Sequence, residues 1–167
     1  MIKIEHSLVI DRAIETVFPY VSNLENMPTW GTSVAVVKEG DGPIAVGTRF
    51  REEAEFGGRR MELGDEVIEY EPNQTFTVRT TSSSMESTTR TRFAPVPGVS
   101  ATRLDYEIKA KARGVLRLLA PLLAPRIKKQ FVADVTNLKQ VLESGETGKP
   151  ASDLRTTVSR DRSDGQK

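Results

Sequence analysis

The sequence predicts an α+β fold: a seven-stranded curved antiparallel sheet wrapped around a long C-terminal helix, with two short helices between strands 1 and 2. Two observations predict it. Near the C-terminus, Ile127, Phe131, Val135, Leu138 and Leu142 recur at steps of four, four, three and four, which puts them on one stripe of an α-helix. Upstream, strand-length segments with one apolar face are separated by short turns. Short links between sequential strands imply antiparallel neighbours. The sheet therefore has an apolar face to cover, and the final helix is the only element large enough to cover it.

Taken in order, Ile2–Ile10 alternates. Ile4, Leu8 and Ile10 share a face with His6, and Lys3, Glu5 and Ser7 take the other, the pattern of a half-buried strand. Asp11 offers a helix N-cap and Glu15 a first-turn acid. Residues 13–21 place Ile14, Val17, Phe18 and Val21 on one side of a short helix whose second half Pro19 disturbs. A second short turn at 23–27 leads to Trp30. Further strands are predicted at 33–39, 47–56, 59–71, 75–81, 86–94 and 101–110. Gly57-Gly58 reads as a tight hairpin, and 40–43, 72–73, 82–84 and 95–98 are rich in turn residues.

The faces follow from the alternation. Phe50, Ala54 and Phe56 oppose Arg49, Arg51, Glu53 and Glu55. Thr102, Leu104, Tyr106, Ile108 and Ala110 oppose Arg103, Asp105, Glu107 and Lys109. The charged sets face water and the others the core. Phe76, Val78 and Thr80 share a face, as do Thr89, Thr91 and Phe93. In 59–71, Met61 and Leu63 set one phase and Ile68 and Tyr70 the other, so Gly64 is the expected bulge. Residues 114–124 are apolar but broken by Pro121 and Pro125, which predicts one or two helical turns joined by a kink to the main helix at 124–143. On that helix Lys128, Lys129, Asp134, Asn137 and Gln140 fall away from the apolar stripe. Gly145 sits where a helix usually stops.

Composition narrows the function classes. Lys and Arg number 24 against 23 Asp and Glu, a formal charge of +1, which gives no basic excess for nucleic acid or anionic lipid. Arg59, Arg60, Arg90 and Arg92 are interleaved with Glu55, Glu62 and Glu86, a solvated mixed face. Cysteine is absent, excluding disulfides and thiolate chemistry. Charges interrupt the first apolar run, so no signal peptide is expected. The most apolar segment, 115–127, contains Arg117 and Arg126 and falls short of the roughly 20 residues a bilayer needs. The expectation is a cytoplasmic protein without integral membrane association. It has a domain at 1–144 and a disordered polar tail at 145–167, where only Ala151, Leu154 and Val158 are apolar.

With these residues in this order, the chain resembles the START-like superfamily, also called SRPBCC, helix-grip or Bet v 1-like, in its polyketide cyclase/dehydrase branch. The resemblance lies in DRAIETVFPYVSNLENMPTW at 11–30, GTRF at 47–50, EVIEYEPNQTF at 66–76, RFAP at 92–95 and ADVTNLKQVLES at 133–144. It covers about residues 1–144. It implies a sheet gripping the C-terminal helix around an apolar cavity, where members bind lipids, sterols, hormones, polyketides or quinones and some catalyse cyclisation or dehydration. It carries no invariant catalytic set.

Candidate residues are few. His6, the only histidine, lies on the apolar face of the first strand. It reads either as a general acid/base or as a neutral His bonded beneath the helix. Glu52 shares the phase of Phe50 and Ala54. If it points inward, desolvation favours its protonated form and it can act as an acid or hold a ligand hydroxyl; a bulged or edge strand would instead let it reach water. Trp30 is a lid or stacking surface, or simply a large core residue. Thr89, Thr91 and Tyr106 bring hydroxyls to an apolar face, as in a pocket that orients a ligand or an ordinary core. Phe50, Met61, Phe76 and Phe131 are the expected apolar wall. No phosphate loop, HExxH pair or GxSxG elbow occurs, and no metal or cofactor is expected. The leading expectation is binding of a small hydrophobic or amphipathic molecule between sheet and helix. The alternatives are a cyclase/dehydrase-type enzyme using His6 or Glu52, and a protein-partner module using the tail or the apolar 115–124 segment.

Overall fold

The computed structural model describes residues 1–145. The polar tail expected at 145–167 lies, Gly145 aside, outside the described residues. The chain forms β1 (Ile2–Ile10), α1 (Ile14–Ser22), a 3₁₀ helix (Leu24–Thr29), β2 (Ser33–Glu39), β3 (Arg49–Phe56), β4 (Arg59–Glu71), β5 (Thr75–Thr81), β6 (Met85–Pro95), β7 (Thr102–Ala112) and α2 (Leu116–Ser144). The strands make one antiparallel sheet in the order β1-β7-β6-β5-β4-β3-β2. Strands β2 to β7 pair with their sequence neighbours, as their short links require. The non-local pairing joins β1 to β7, from Ile2 opposite Ala110 to Ile10 opposite Thr102. Helix α1 and the 3₁₀ helix carry the chain from one sheet edge to the other. Gly57 and Gly58 have φ of +59° and +76°, the two left-handed residues of a tight hairpin turn between β3 and β4.

The stripe of α2 lies against the concave face. Val135, Leu138, Val141 and Leu142 are fully buried and join Phe50, Val67 and Leu104 of the sheet with Val17 and Phe18 of α1 in one core. Further toward its start, Ala120, Ala124 and Ile127 pack against Ile2, Ile4 and Ala110. Leu118 and Leu122 face away and are 81% and 73% exposed. Among the described residues, no helix is long and apolar enough to cross a membrane.

Three local expectations are corrected. The apolar segment before the main helix is not separate: α2 runs unbroken for 29 residues through Pro121 and Pro125. Each proline removes one intrahelical N–H. The carbonyls left over belong to Arg117 and Pro121, both exposed, where water can serve them. Asp11 is not the N-cap of α1. Ala13 holds that position, while the Asp11 N–H donates to Glu143 Oε1 at 2.9 Å and the Arg12 guanidinium donates to the carbonyls of Leu142 and Glu143. The first corner of the chain thereby caps the end of α2. Finally, Gly64 is not a bulge. It pairs in register with Arg51, and the irregularity in β4 falls between Val67 and Glu69. The late phase change keeps Leu63, Asp65 and Val67 on one face and still lets Tyr70 reach Phe18 and Phe76.

Candidate functional site

Between α2 and the middle of the sheet lies a cavity of about 180 Å³. Its apolar wall comes from Phe76 and Val78 of β5, Ile108 of β7, Phe131 of α2, and Val21, Leu24 and Met27 beneath. Half-exposed Thr32, Thr80 and Thr89 also line it.

Two carboxyls project into this space from adjacent strands. Strict alternation in β3 sends Arg51 and Glu53 to solvent and Glu52 inward, leaving it only 5% exposed. In β4 the same period brings in Asp65, 3% exposed. The register pairs Phe50 with Asp65 and Glu52 with Leu63, so the two acids are diagonal neighbours on one face. Each has one hydroxyl donor: Ser33 Oγ to Glu52 Oε1 and Thr80 Oγ1 to Asp65 Oδ1, both at 2.6 Å. Burial pushes the Glu52 pKa up to about 8, the neighbouring Asp65 charge adds to the rise, and the Ser33 hydroxyl opposes it. Burial raises Asp65 as well, against the bonds from Thr80 and Glu52. Two carboxyls this close and this dry do not both ionise at neutral pH, and they titrate as a pair.

Three polar atoms around the cavity are buried without a hydrogen-bond partner among the described residues: Trp30 Nε1, Tyr106 Oη and Asp65 Oδ2. Trp30 ends the 3₁₀ helix. Tyr106 stands in β7 between Thr91 of β6 and His6 of β1, with its ring edge-on to Phe131 at 5.2 Å. Burial raises the Tyr106 pKa, so the phenol is neutral. Buried polar groups are nearly always satisfied in folded proteins.

Of the residues singled out in the sequence, Trp30, Glu52, Phe76, Thr89, Thr91, Tyr106 and Phe131 line this cavity together. The other three do not. Phe50 sits deeper in the core, 1% exposed. Met61 lies near the β3–β4 hairpin on a surface position. His6 is half-buried outside the cavity lining, its ring edge-on to Phe131 with centroids 6.5 Å apart. It makes no pair with Glu52, because β7, β6, β5 and β4 separate their strands.

Two acids were missed. Asp65 continues the inward phase of Met61 and Leu63, a signal masked by placing the bulge at Gly64. Asp134 was set off the apolar stripe, yet it is buried on the cavity side of α2. It lies three residues after Phe131 and four before Leu138, one helical turn from each. Gln130 Nε2 donates to it at 2.8 Å, and Thr32 Oγ1 reaches it at 3.5 Å.

Comparison with known proteins agrees with this architecture. The family described as polyketide cyclase / dehydrase and lipid transport matches residues 1–143. Among solved structures, the chain is similar to the Zhui aromatase/cyclase from Streptomyces sp. R1128, with TM-score 0.68 and 14% identity over 84% of this chain and 93% of that one. It is also similar to a START superfamily protein from Mycobacterium smegmatis, with TM-score 0.63 and 18% identity over 86% and 96%. A conserved protein from Geobacillus kaustophilus gives TM-score 0.69 and 12% identity over 86% and 96%. At such identities the likeness is one of fold. No curated protein matches the sequence.

Proposed function

The chain belongs to the polyketide cyclase/dehydrase and lipid transport family, and from that premise we propose that it binds a small amphipathic molecule in the cavity between sheet and helix. One observation carries this reading. A cavity with aromatic and aliphatic walls holds a buried indole N–H, a buried phenol and a buried carboxyl oxygen, none with a hydrogen-bond partner among the described residues. A ligand that meets these atoms removes the cost of leaving them unpaired, about 1–3 kcal/mol each. Its apolar part adds roughly 25 cal/mol for each Å² withdrawn from water. The volume is comparable with the engineered apolar cavity of about 150 Å³ that admits benzene, so the guest is of one- or two-ring size.

Native mass spectrometry of protein purified from its source tests this. A small molecule that co-purifies and is displaced by a lipophilic fluorescent probe is the expected result. Neither a co-purifying molecule nor any probe binding would refute it.

Glu52 supports a second reading, in which the same cavity performs proton transfer for cyclisation or dehydration. A carboxyl protonated near neutral pH and facing the guest suits a general acid, with Asp65 beside it to exchange the proton. Glu52→Gln separates the readings: under the first it alters binding alone, and under the second it abolishes turnover of ligand that still binds.

A further inference from the structure

The cavity walls carry charge of one sign. Glu52, Asp65 and Asp134 reach it from β3, β4 and α2, and no Lys, Arg or His lines it. Among the described residues, the titratable groups on this wall are those three acids and Tyr106. The only histidine, His6, contacts Phe131 and is not part of the lining. The basic side chains near these strands point outward, as in the Arg60–Glu53 and Arg90–Glu69 pairs. The acids do not converge as metal ligands would; among the described residues, no group of three acids and histidines is close enough to hold an ion. The aromatic residues Trp30, Phe76, Tyr106 and Phe131 line the space, and aromatic rings attract organic cations. Asp65 Oδ2 is buried with no donor, and Tyr106 Oη has no partner.

We infer that the cavity selects an amphipathic amine, with its ammonium group held at Glu52 and Asp65 and its ring or chain against Phe131, Phe76 and Ile108. This rests on the reading of the cavity as a ligand site and names the chemical class of its ligand. An ammonium compensates a carboxylate pair that no cation among the described cavity residues balances, a burial that is otherwise costly. A fatty acid or other carboxylate meets like charge there and is disfavoured. The proton balance follows. The amine enters protonated, the carboxyl pair holds one shared proton, and the ammonium favours the doubly ionised pair, so part of that proton passes to solvent.

The test is calorimetric titration of the full chain near pH 7 with phenethylamine, 2-phenylethanol and phenylacetate, which share a ring and differ in charge. Each is measured in two buffers of different ionisation enthalpy. The amine is expected to bind about tenfold or more tighter than the acid, with proton release for the amine alone. In Glu52→Gln the amine preference shrinks to what the remaining carboxylate supplies, and proton release disappears. In the double variant Glu52→Gln, Asp65→Asn the preference for the amine is lost while the alcohol still binds. Both amides keep an acceptor for Ser33 and Thr80, and melting curves report whether the variants fold. Binding of the alcohol or acid as tightly as the amine to the unmodified chain overturns the amine assignment and leaves the cavity reading standing. Binding of none of the three overturns both.

Discussion

The carboxyl pair makes the folded domain lose stability as pH rises through neutrality, the reverse of the usual trend for carboxylates with cationic partners. A glutamate in the unfolded chain titrates near 4.5, and folding pushes Glu52 to about 8 through burial and the charge of Asp65. Between these values the folded protein holds a proton that the unfolded chain has released. Stability is then full below the unfolded value and drains away as pH climbs through the folded one. At about 1.4 kcal/mol per tenfold, the ceiling is roughly 5 kcal/mol. Water entering the cavity lowers that to a few kcal/mol, or of order 5–10 °C in Tm for a domain of this size. On the acid side, partners lower Glu143 (Lys139 first), Glu107 (Lys109 first) and Asp105 (Ser7 first), so their contributions are lost only as pH falls below the ordinary carboxylate range. Thermal unfolding followed by circular dichroism from pH 5 to 9 should show Tm falling above pH 6. In Glu52→Gln the fall should be much shallower, and above pH 8 the variant should be the more stable protein. A Tm that is level or rises from pH 5 to 8, or a variant that declines in parallel, would refute the argument that the pair is dry and close.

Other perturbations test the scaffold and the wall. Leu138→Ala empties a fully buried position in the centre of the core and should cost about 3–5 kcal/mol in urea unfolding; a loss under about 1 kcal/mol would mean that α2 does not seal the sheet. Tyr106→Phe removes a hydroxyl with no protein partner, so stability should hold within about 0.5 kcal/mol or improve. The same change should weaken a bound ligand by about tenfold if the phenol bonds to it, measured by titration. Arg12→Ala removes the donors on the Leu142 and Glu143 carbonyls and should cost about 1–3 kcal/mol, with faster amide exchange in the last turn of α2.

Much of this fold was legible because its elements carry one unambiguous period each. β7 shows five inward residues in strict alternation with four charged ones, and the end of α2 shows a helical stripe. What was not legible came from places where two signals compete. In β4 the phase does change, but nothing in the residues themselves says whether Gly64 or Ile68 absorbs it. That single displacement hid Asp65 from the inward set. In α2, Pro121 and Pro125 are strong local breakers, yet the helix continues because its proline-bearing surface faces water and the opposite surface packs on β1 and β7. Asp134 was set off the apolar stripe, although it lies one helical turn from both Phe131 and Leu138 and is buried on the cavity side. The pairing of β1 with β7, and with it the distance of His6 from Glu52, depends on a contact about a hundred residues apart that no local pattern encodes.

The acids of this sheet divide by face, and the division bears on what the cavity is for. On the outer face Glu53 meets Arg60, Glu69 meets Arg90, Glu86 meets Arg113, and Glu107 meets Lys3 and Lys109. Such exposed pairs stabilise little and are easily made. On the inner face, where an unmatched carboxylate costs far more, Glu52 and Asp65 have hydroxyl donors and no cation. A purely structural core would place Val, Thr or Gln at these positions with a gain in stability at alkaline pH. Packing therefore supplies no reason for the pair. Local rules hold through the rest of the fold and fail at this cavity, together with the orphaned Trp30 and Tyr106, which is where a site for chemistry or recognition is expected to break them. Under the proposal above, one guest that is positive at one end and apolar at the other accounts for both the uncompensated acids and the unpaired polar atoms among the described residues.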